Sequence, residues 1–529
     1  MPENKKKFLK STAIIGIATF SSQVLGLVRT SLLSAFYGAT ESEGLADCYS
    51  AAFKLPDIIY TLVVSGIISI ILIPYFIKGL EQDKININKA CSGFLNLFFI
   101  IISFFIFIGF ILAPIIVKNF LLPGWNDKEK IDLTIKLTRI IFAQTLFITL
   151  SSVFGSYLNA LEKFTAYSLA MLSYNIGIIA GIIFLSPFIG IEGVAYGVVF
   201  GSFLHFLFQF LGSIKNGFKY YFVLPKIDKE LIDLTLNALP RIITLGSSQI
   251  VRFFLVNISS FIWTGAIFIF DNVENIGMVP YGLLAISIST ASFPIFIKYY
   301  NENRWQVLIE SLFDKLRMLF FFIIPISFFF IVFRVEIVDI LLGYKNYLPK
   351  DVNITAEALI YYMIGIPFFS ATLILVKFYY AIRRSFLPMF IAILSSCATI
   401  VVSFLLVKIF AVSSLSIGRT TGNIIQFLLL ILFIFVIKKE NFSFKNEAKE
   451  ILFITLISLF FLFLGLILKQ YINFNINLKI NYILRMAIIG IPFGFFYFLI
   501  TFFLKIPEAT FILDFINKFK NKFKSKIKQ

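Results

Sequence analysis

The sequence predicts an all-α polytopic membrane protein: about 14 transmembrane helices, arranged as two parallel-repeat six-helix lobes plus two C-terminal helices, with the N and C termini cytoplasmic. Three observations predict it. Of 529 residues, 59% are hydrophobic and 14% charged, and the mean hydropathy is +0.91. An ordinary globular domain has about a quarter of its residues charged, so a soluble core of this size would have nowhere to put its apolar side chains. The apolar residues fall into runs of about the 20 residues that span a bilayer as a helix. The lysines fall between those runs.

Fourteen runs follow one another, near 11–37, 46–77, 90–117, 133–159, 165–189, 191–214, 233–264, 267–297, 316–333, 356–381, 386–410, 412–437, 450–468 and 482–504. Within lipid every backbone polar group needs an internal partner, so each run is a helix or a strand of a closed barrel. Barrel strands alternate polar and apolar over about ten residues. These runs are longer and continuously apolar, hence helices. Met1–Lys10 is a basic leader with no small-residue cleavage site after it, which reads as an uncleaved first span. The expected division is 1–10 as a cytoplasmic N-terminus, 11–220 as an N-lobe of spans 1–6 and 221–440 as a C-lobe of spans 7–12. Residues 441–508 then hold spans 13–14, and 509–529 form a basic cytoplasmic tail.

With the N-terminus inside, the inward segments hold roughly 29 Lys and Arg residues and the outward ones about 8, a clear positive-inside bias. The outward cations are Lys118, Lys128, Lys130, Arg334, Lys345, Lys350, Lys469 and Lys479. The net charge of +18 therefore reports topology, and no nucleic-acid partner is expected. Cys48, Cys91 and Cys397 lie far apart, and His205 is the single histidine, so no metal site is expected. The sequence contains no P-loop, no H-E-x-x-H and no G-x-S-x-G, and its loops are too short for a catalytic domain. We expect a transporter, not an enzyme, with no cofactor.

The chain repeats itself. Ser21-Ser22-Gln23-Val24 recurs as Ser247-Ser248-Gln249-Ile250, and Pro74-Tyr75-Phe76-Ile77-Lys78 as Pro294-Ile295-Phe296-Ile297-Lys298. Tyr157 to Lys163 resembles Tyr379 to Arg384, and Gly197 and Gly201 match Gly418 and Gly422. Every pair is separated by roughly 220 residues, or six spans. Six is even, so the halves point the same way across the membrane. That is a parallel repeat about an axis along the membrane normal, and such lobes create a cleft for alternating access.

Ionisable groups inside spans are expensive and are functional candidates. Span 1 carries Arg29; span 2 carries Asp47, Lys54 and Asp57; span 7 carries Arg241 and Arg252; span 8 opens with Asp271 and Glu274. A cleft holding Arg29 and Arg252 suits an anion, because guanidinium pairs with phosphate in bidentate fashion. Each charge also has a structural reading. Arg29 either serves a ligand or pairs with Asp47 or Asp57. Lys54 and Asp57 are i, i+3 neighbours able to neutralise each other. Asp57 and Glu274 are candidates for coupling or gating. His205 reads as a hydrogen-bonded core residue.

Ser22-Gln23-Val24-Leu25-Gly26-Leu27-Val28-Arg29, then Phe36-Tyr37-Gly38, then Asp47 and Ala52-Phe53-Lys54-Leu55-Pro56, resemble the start of the MurJ/MviN family. Gly155 to Asn159, Asn175, Pro280, Gly282, Pro294, Lys377 to Arg384, Pro388 and Leu415 to Gly418 extend the resemblance along the whole chain. The family comprises lipid II flippases of bacterial cell-wall synthesis, within the multidrug/oligosaccharidyl-lipid/polysaccharide exporter superfamily. The resemblance implies a multi-pass protein of the cytoplasmic (inner) membrane with a central cationic cavity. It also implies a groove formed with spans 13–14 for a polyprenyl tail. Its substrate would be lipid II, an undecaprenyl-pyrophosphate glycopeptide; its further partners would be membrane lipids and cell-wall synthesis enzymes. The implied cavity positions are Arg29, Gln23, Asp47, Lys54 and Asn275, and the embedded charge of Arg252 adds that residue to them.

The chain departs from the family pattern. Gln23 stands where Arg is usual, Thr30 where Asp is common, Tyr60 and Ser65 where Arg and Glu are common, and Asn275 and Met278 where Arg and Glu are common. Arg252 stands where the family has no arginine, so it would compensate for lost cavity charge. Two alternatives follow: a flippase for another isoprenoid-pyrophosphate-linked polysaccharide, and a cation-coupled exporter of the same superfamily. The exporter would have twelve spans and an acidic cleft.

Overall fold

The computed structural model describes residues 3–41, 43–65, 71–81, 86–226, 229–437, 445–474 and 477–510. Among them the regular elements are all helical. Twelve helices among the described residues are long and apolar enough to cross a membrane, from Ile87–Leu121 to Leu478–Phe503. They coincide with the third to fourteenth expected runs. The first run falls on α1 (Glu3–Tyr37), and the second on α2 (Leu45–Ala52), α3 (Lys54–Tyr60) and α4 (Ile73–Glu81). Both are described only in part. The basic tail beyond Thr510 lies outside the described residues.

Local chemistry sets several helix ends. α5 (Ile87–Ile116) starts behind Asn86, whose side chain accepts the N–H groups of Asn88 and Lys89. α6 (Lys128–Ala160) starts behind Asp127, which accepts those of Glu129 and Lys130. The Lys130 N–H and ammonium hold the Asp127 carboxyl below its usual range. α7 (Phe164–Ala180) runs through a π-helical turn into the short α8 (Ser186–Ile189). Gly190, at φ 64°, then breaks the chain before α9 (Ile191–Lys215). π-Helical turns also occupy Thr61–Ser65 after α3 and Tyr281–Ala285 after α11 (Ala266–Pro280). These two turns lie 220 residues apart, the offset of the repeat between spans 2 and 8.

The helices form two compact units. The first holds residues 1–272, 341–354 and 392–418. Here α7 and α9 approach at glycines: a Cβ on Gly197 would lie 2.6 Å from Gly181 Cα. The G-x-x-x-G spacing of span 6 thus serves close packing. Tyr75, Phe76, Phe94, Phe98, Phe154, Tyr157 and Phe218 form one core cluster. His205 shares a hydrogen bond with Ser151 Oγ at 2.7 Å, as a core histidine does. After α1 the chain is held by Asn346, which donates to Phe36 O at 2.6 Å. The buried Asp351 accepts the Thr40 hydroxyl at 2.8 Å.

The second unit holds residues 273–340, 355–391 and 419–529. It contains α12 (Ile286–Asn301), α13 (Trp305–Val332), α14 (Arg334–Leu342, up to Ile340), α18 (Lys445–Tyr471) and α19 (Leu478–Phe503). Parts of α15 (Pro349–Ala381), α16 (Phe386–Phe410) and α17 (Val412–Ile437) complete it. Buried tyrosines satisfy their hydroxyls on carbonyls: Tyr497 on Phe321 O and Tyr379 on Leu430 O, both at 2.7 Å. Midway along α13, Arg317 gathers Asp314, Glu450 and Glu508, each at 2.9 Å. One guanidinium thereby ties α13, α18 and the turn after α19.

Arg317→Ala strands the buried Glu508 carboxylate, and loss of one partner of a buried pair costs about 3–5 kcal/mol. The purified variant should therefore melt earlier than wild type by fluorescence-detected size exclusion. An unchanged melting profile would mean that the three carboxylates are held without Arg317.

Candidate functional site

The polar site of the first unit is built on α2, α3 and the start of α11. Gly44, at φ 87°, opens α2 and sets Asp47 in its first turn. Asp47 is fully buried. Its carboxylate accepts the Gly265 N–H at 2.6 Å and the Phe268 N–H at 2.8 Å. These are N–H groups at the beginning of α11, which have no intrahelical partner. A negative charge there is also favoured by the helix dipole. Gly265 has φ 102°, and a Cβ on it would lie 2.7 Å from Ala39 O, so only glycine fits the approach. Asp47, expected as a substrate-binding group, is thus spent on the chain's own backbone. It fixes where α11 starts.

Lys54 follows two turns later. Its ammonium lies 3.1 and 3.2 Å from the two carboxylate oxygens of Asp271, on α11. The expected i, i+3 pairing with Asp57 is therefore replaced by a bridge between helices. Asp57 stays within the field of Lys54, Arg252 and Asp271. Arg252, on α10 (Lys229–Ser259), is half-buried. Three cations (Arg29, Lys54, Arg252) thus stand against two carboxylates (Asp57, Asp271), since Asp47 is engaged elsewhere.

Arg29 supplies the excess. It is half-buried in α1. Among the described residues it has no hydrogen-bond or ion-pair partner, and its charge reaches the hydroxyls of Tyr49 on α2 and Tyr174 on α7. α1 is placed for this by Asn175, which donates to Ser22 O at 3.2 Å and lies near Ser22 Oγ at 3.1 Å. Gln23 is half-buried beside Ser22. A guanidinium in this setting can receive an anion, since it offers charge and a planar donor fork; the Tyr174 hydroxyl donates to Gln144 Oε1 at 3.3 Å.

Two expected site residues belong to the second unit. Glu274 is buried and lies 3.1 Å from Arg419 of α17. Asn275 is exposed. Sequence reasoning left Tyr49, Tyr174 and Arg419 out of the site, and it noted Asp271 as an embedded acid without placing it in the cavity. Asp271 had a usable signal, an acid in the first two turns of a span. The tyrosines had none, because the chain has 22 of them.

A sequence model described as "Lipid II flippase MurJ" matches residues 38–480. The chain belongs to the lipid II flippase MurJ family. A probable lipid II flippase MurJ of Borreliella burgdorferi is 27% identical over 463 residues, covering 86% of this chain and 88% of that protein. One from Vibrio cholerae is 26% identical over 443 residues, covering 80% and 82%. A solved structure of the lipid II flippase MurJ in an inward closed conformation superposes with a TM-score of 0.74 at 26% identity, over 92% of this chain and 99% of that one. An inward-facing multidrug transporter of the MATE family, 14% identical with a TM-score of 0.64, shares the fold. Membership of the MurJ family, with twelve apolar helices among the described residues, makes this a multi-pass protein of the bacterial inner membrane.

Lys54→Ala and Asp271→Ala should each destabilise the protein, and the double variant should cost less than the two combined. A coupling of about 1–3 kcal/mol is expected for contacting charges. A double-mutant cycle in detergent measures it. A coupling near zero would remove the bridge from the site.

Proposed function

We propose that this chain carries lipid II from the inner to the outer leaflet of the cytoplasmic membrane, by alternating access, for peptidoglycan synthesis. The observation that carries the reading is Arg29, a guanidinium within an apolar helix that has no carboxylate partner among the described residues. A charge in that setting is costly unless something pairs with it. The diphosphate of the substrate is that partner. Tyr49 adds a donor, while Lys54, Asp57 and Arg252 shape the surrounding charge. Gln23 contacts the sugar or peptide as a neutral polar group, and within the second unit Glu274 gates through Arg419.

The second unit supports the other half of the substrate. A cavity of about 340 Å³ is lined by Phe321, Phe322, Phe329, Phe461, Phe493 and neighbours on α13, α18 and α19. An isoprenoid tail lying there never leaves an apolar environment. Only the headgroup then needs a polar route, which removes most of the desolvation barrier to crossing. The six-span repeats, 11–220 and 221–440, are the moving bodies. The membrane potential is a sufficient energy source, at about 2.3 kcal/mol per charge per 100 mV. The protein acts as a transporter, and the enzymes that polymerise lipid II are its expected partners.

Depletion of the protein in its own cell should leave lipid II accumulated and protected from a lipid II-cleaving enzyme added from outside. Wild type restores cleavage, and Arg29→Ala does not. Unchanged cleavage on depletion, in a cell with no second flippase, would reassign the protein to another isoprenoid-diphosphate glycan.

A further inference from the structure

The second unit has an ionic cluster that the reading above does not use. It lies where α13 ends, α18 ends and α19 begins. Glu336 is almost completely buried and accepts from Lys469 at 2.6 Å and from Arg485 at 3.2 Å. Lys469 also donates to Val332 O at 3.0 Å, and its ammonium lies 5.9 Å from the Phe333 ring. Arg334 acts on Lys469 electrostatically. Burial raises the Asp339 carboxyl above its usual range, and Lys479, which donates to Asp339 O at 3.1 Å, offsets part of that rise.

Two features set the cluster apart. Among the described residues four cations face two carboxylates, an excess of two positive charges. Arg334, Lys469 and Lys479 are also three of the few cations on outward segments, where the positive-inside bias disfavours them. Cations retained against that bias, converging from three helices, need a counter-ion. The position supplies a second clue. Val332 and Phe333, which touch Lys469, also line the apolar cavity of α13, α18 and α19. The charge sits at the outward end of that cavity.

We propose that Arg334, Lys469, Lys479 and Arg485 form an outer-leaflet docking site for the diphosphate of an isoprenoid lipid whose tail lies in the adjoining apolar cavity. This rests on the tail-groove reading given above. A diphosphate diester carries two negative charges, equal to the excess of the cluster. Glu336 orients Lys469 and Arg485, and Arg334 and Lys479 add their charge beside them. The site holds the headgroup after it has crossed and before the lipid leaves, so it is an exit station on the transport path.

The test uses the full chain in phosphatidylcholine nanodiscs, with Arg29→Ala as background to remove the other anion receptor. The probes are undecaprenyl diphosphate, undecaprenol and inorganic diphosphate. Lys469→Gln and Arg485→Gln would strand buried Glu336, so the informative variants are Arg334→Gln and Lys479→Gln. Each should weaken undecaprenyl diphosphate about tenfold, the loss of one charge-assisted contact, and leave undecaprenol unchanged. Gly494→Leu fills the cavity at a position with open space around it, and should weaken both lipids. Unchanged affinity for undecaprenyl diphosphate in both charge variants overturns the docking site. Inorganic diphosphate binding as tightly as the lipid overturns its assignment to a lipid. If the charge variants act and Gly494→Leu has no effect on undecaprenol, the docking site stands and the tail groove fails.

Discussion

The first unit depends on one carboxylate. Asp47 lies out of water and takes two backbone N–H groups from the start of α11. A buried carboxylate without such donors would be prohibitively expensive, and a helix start without an acceptor would leave its N–H groups unpaired. Each group solves the other's problem. The contact fixes the end of α11, and so fixes the height at which Asp271 meets Lys54. Gly265 is the steric condition for it, because a side chain there would strike Ala39 O. The site is therefore assembled from one end, by a hydrogen-bonded corner.

Charges elsewhere follow one rule. Arg317 meets three carboxylates, Arg419 meets Glu274, and Glu336 meets Lys469 and Arg485. In a low-dielectric interior these pairs are strong only when geometry is good, and an unpaired member is heavily penalised. Against that background Arg29 is the exception that defines the receptor. The same logic makes the outward basic cluster informative, since its carboxylates do not exhaust its charge.

The fold was largely legible in the sequence because lipid permits so few backbone solutions. Runs of the right length became helices, though α13 starts at Trp305, about three turns ahead of the apolar run near 316, because its first turns are polar. Arg29, Lys54 and Arg252 were legible because a charge stands out in an apolar run. Their partners were not. Lys54 bonds a residue 217 positions away, and neighbour rules see only the same helix. Asp47 was read as a ligand group because burial against backbone N–H groups leaves no mark in residue spacing. Glu274 was noticed, but its partner Arg419 lies on another helix, where residue spacing gives no sign of the pairing.

The π-helical turns at Thr61–Ser65 and Tyr281–Ala285 bear on how such a chain changes over time. A π turn accommodates roughly one extra residue, about 100° of helix, without rotating the segments on either side. Loss of the extra residue at Tyr281–Ala285 restores an α-helical path and leaves α11 on one flank and α12 on the other facing as before. Elsewhere in the same helices such an event would swing every later side chain to a new face. The two turns are the positions at which the second and eighth spans can gain or lose length while lineages diverge. Among related chains, alignment gaps should gather there.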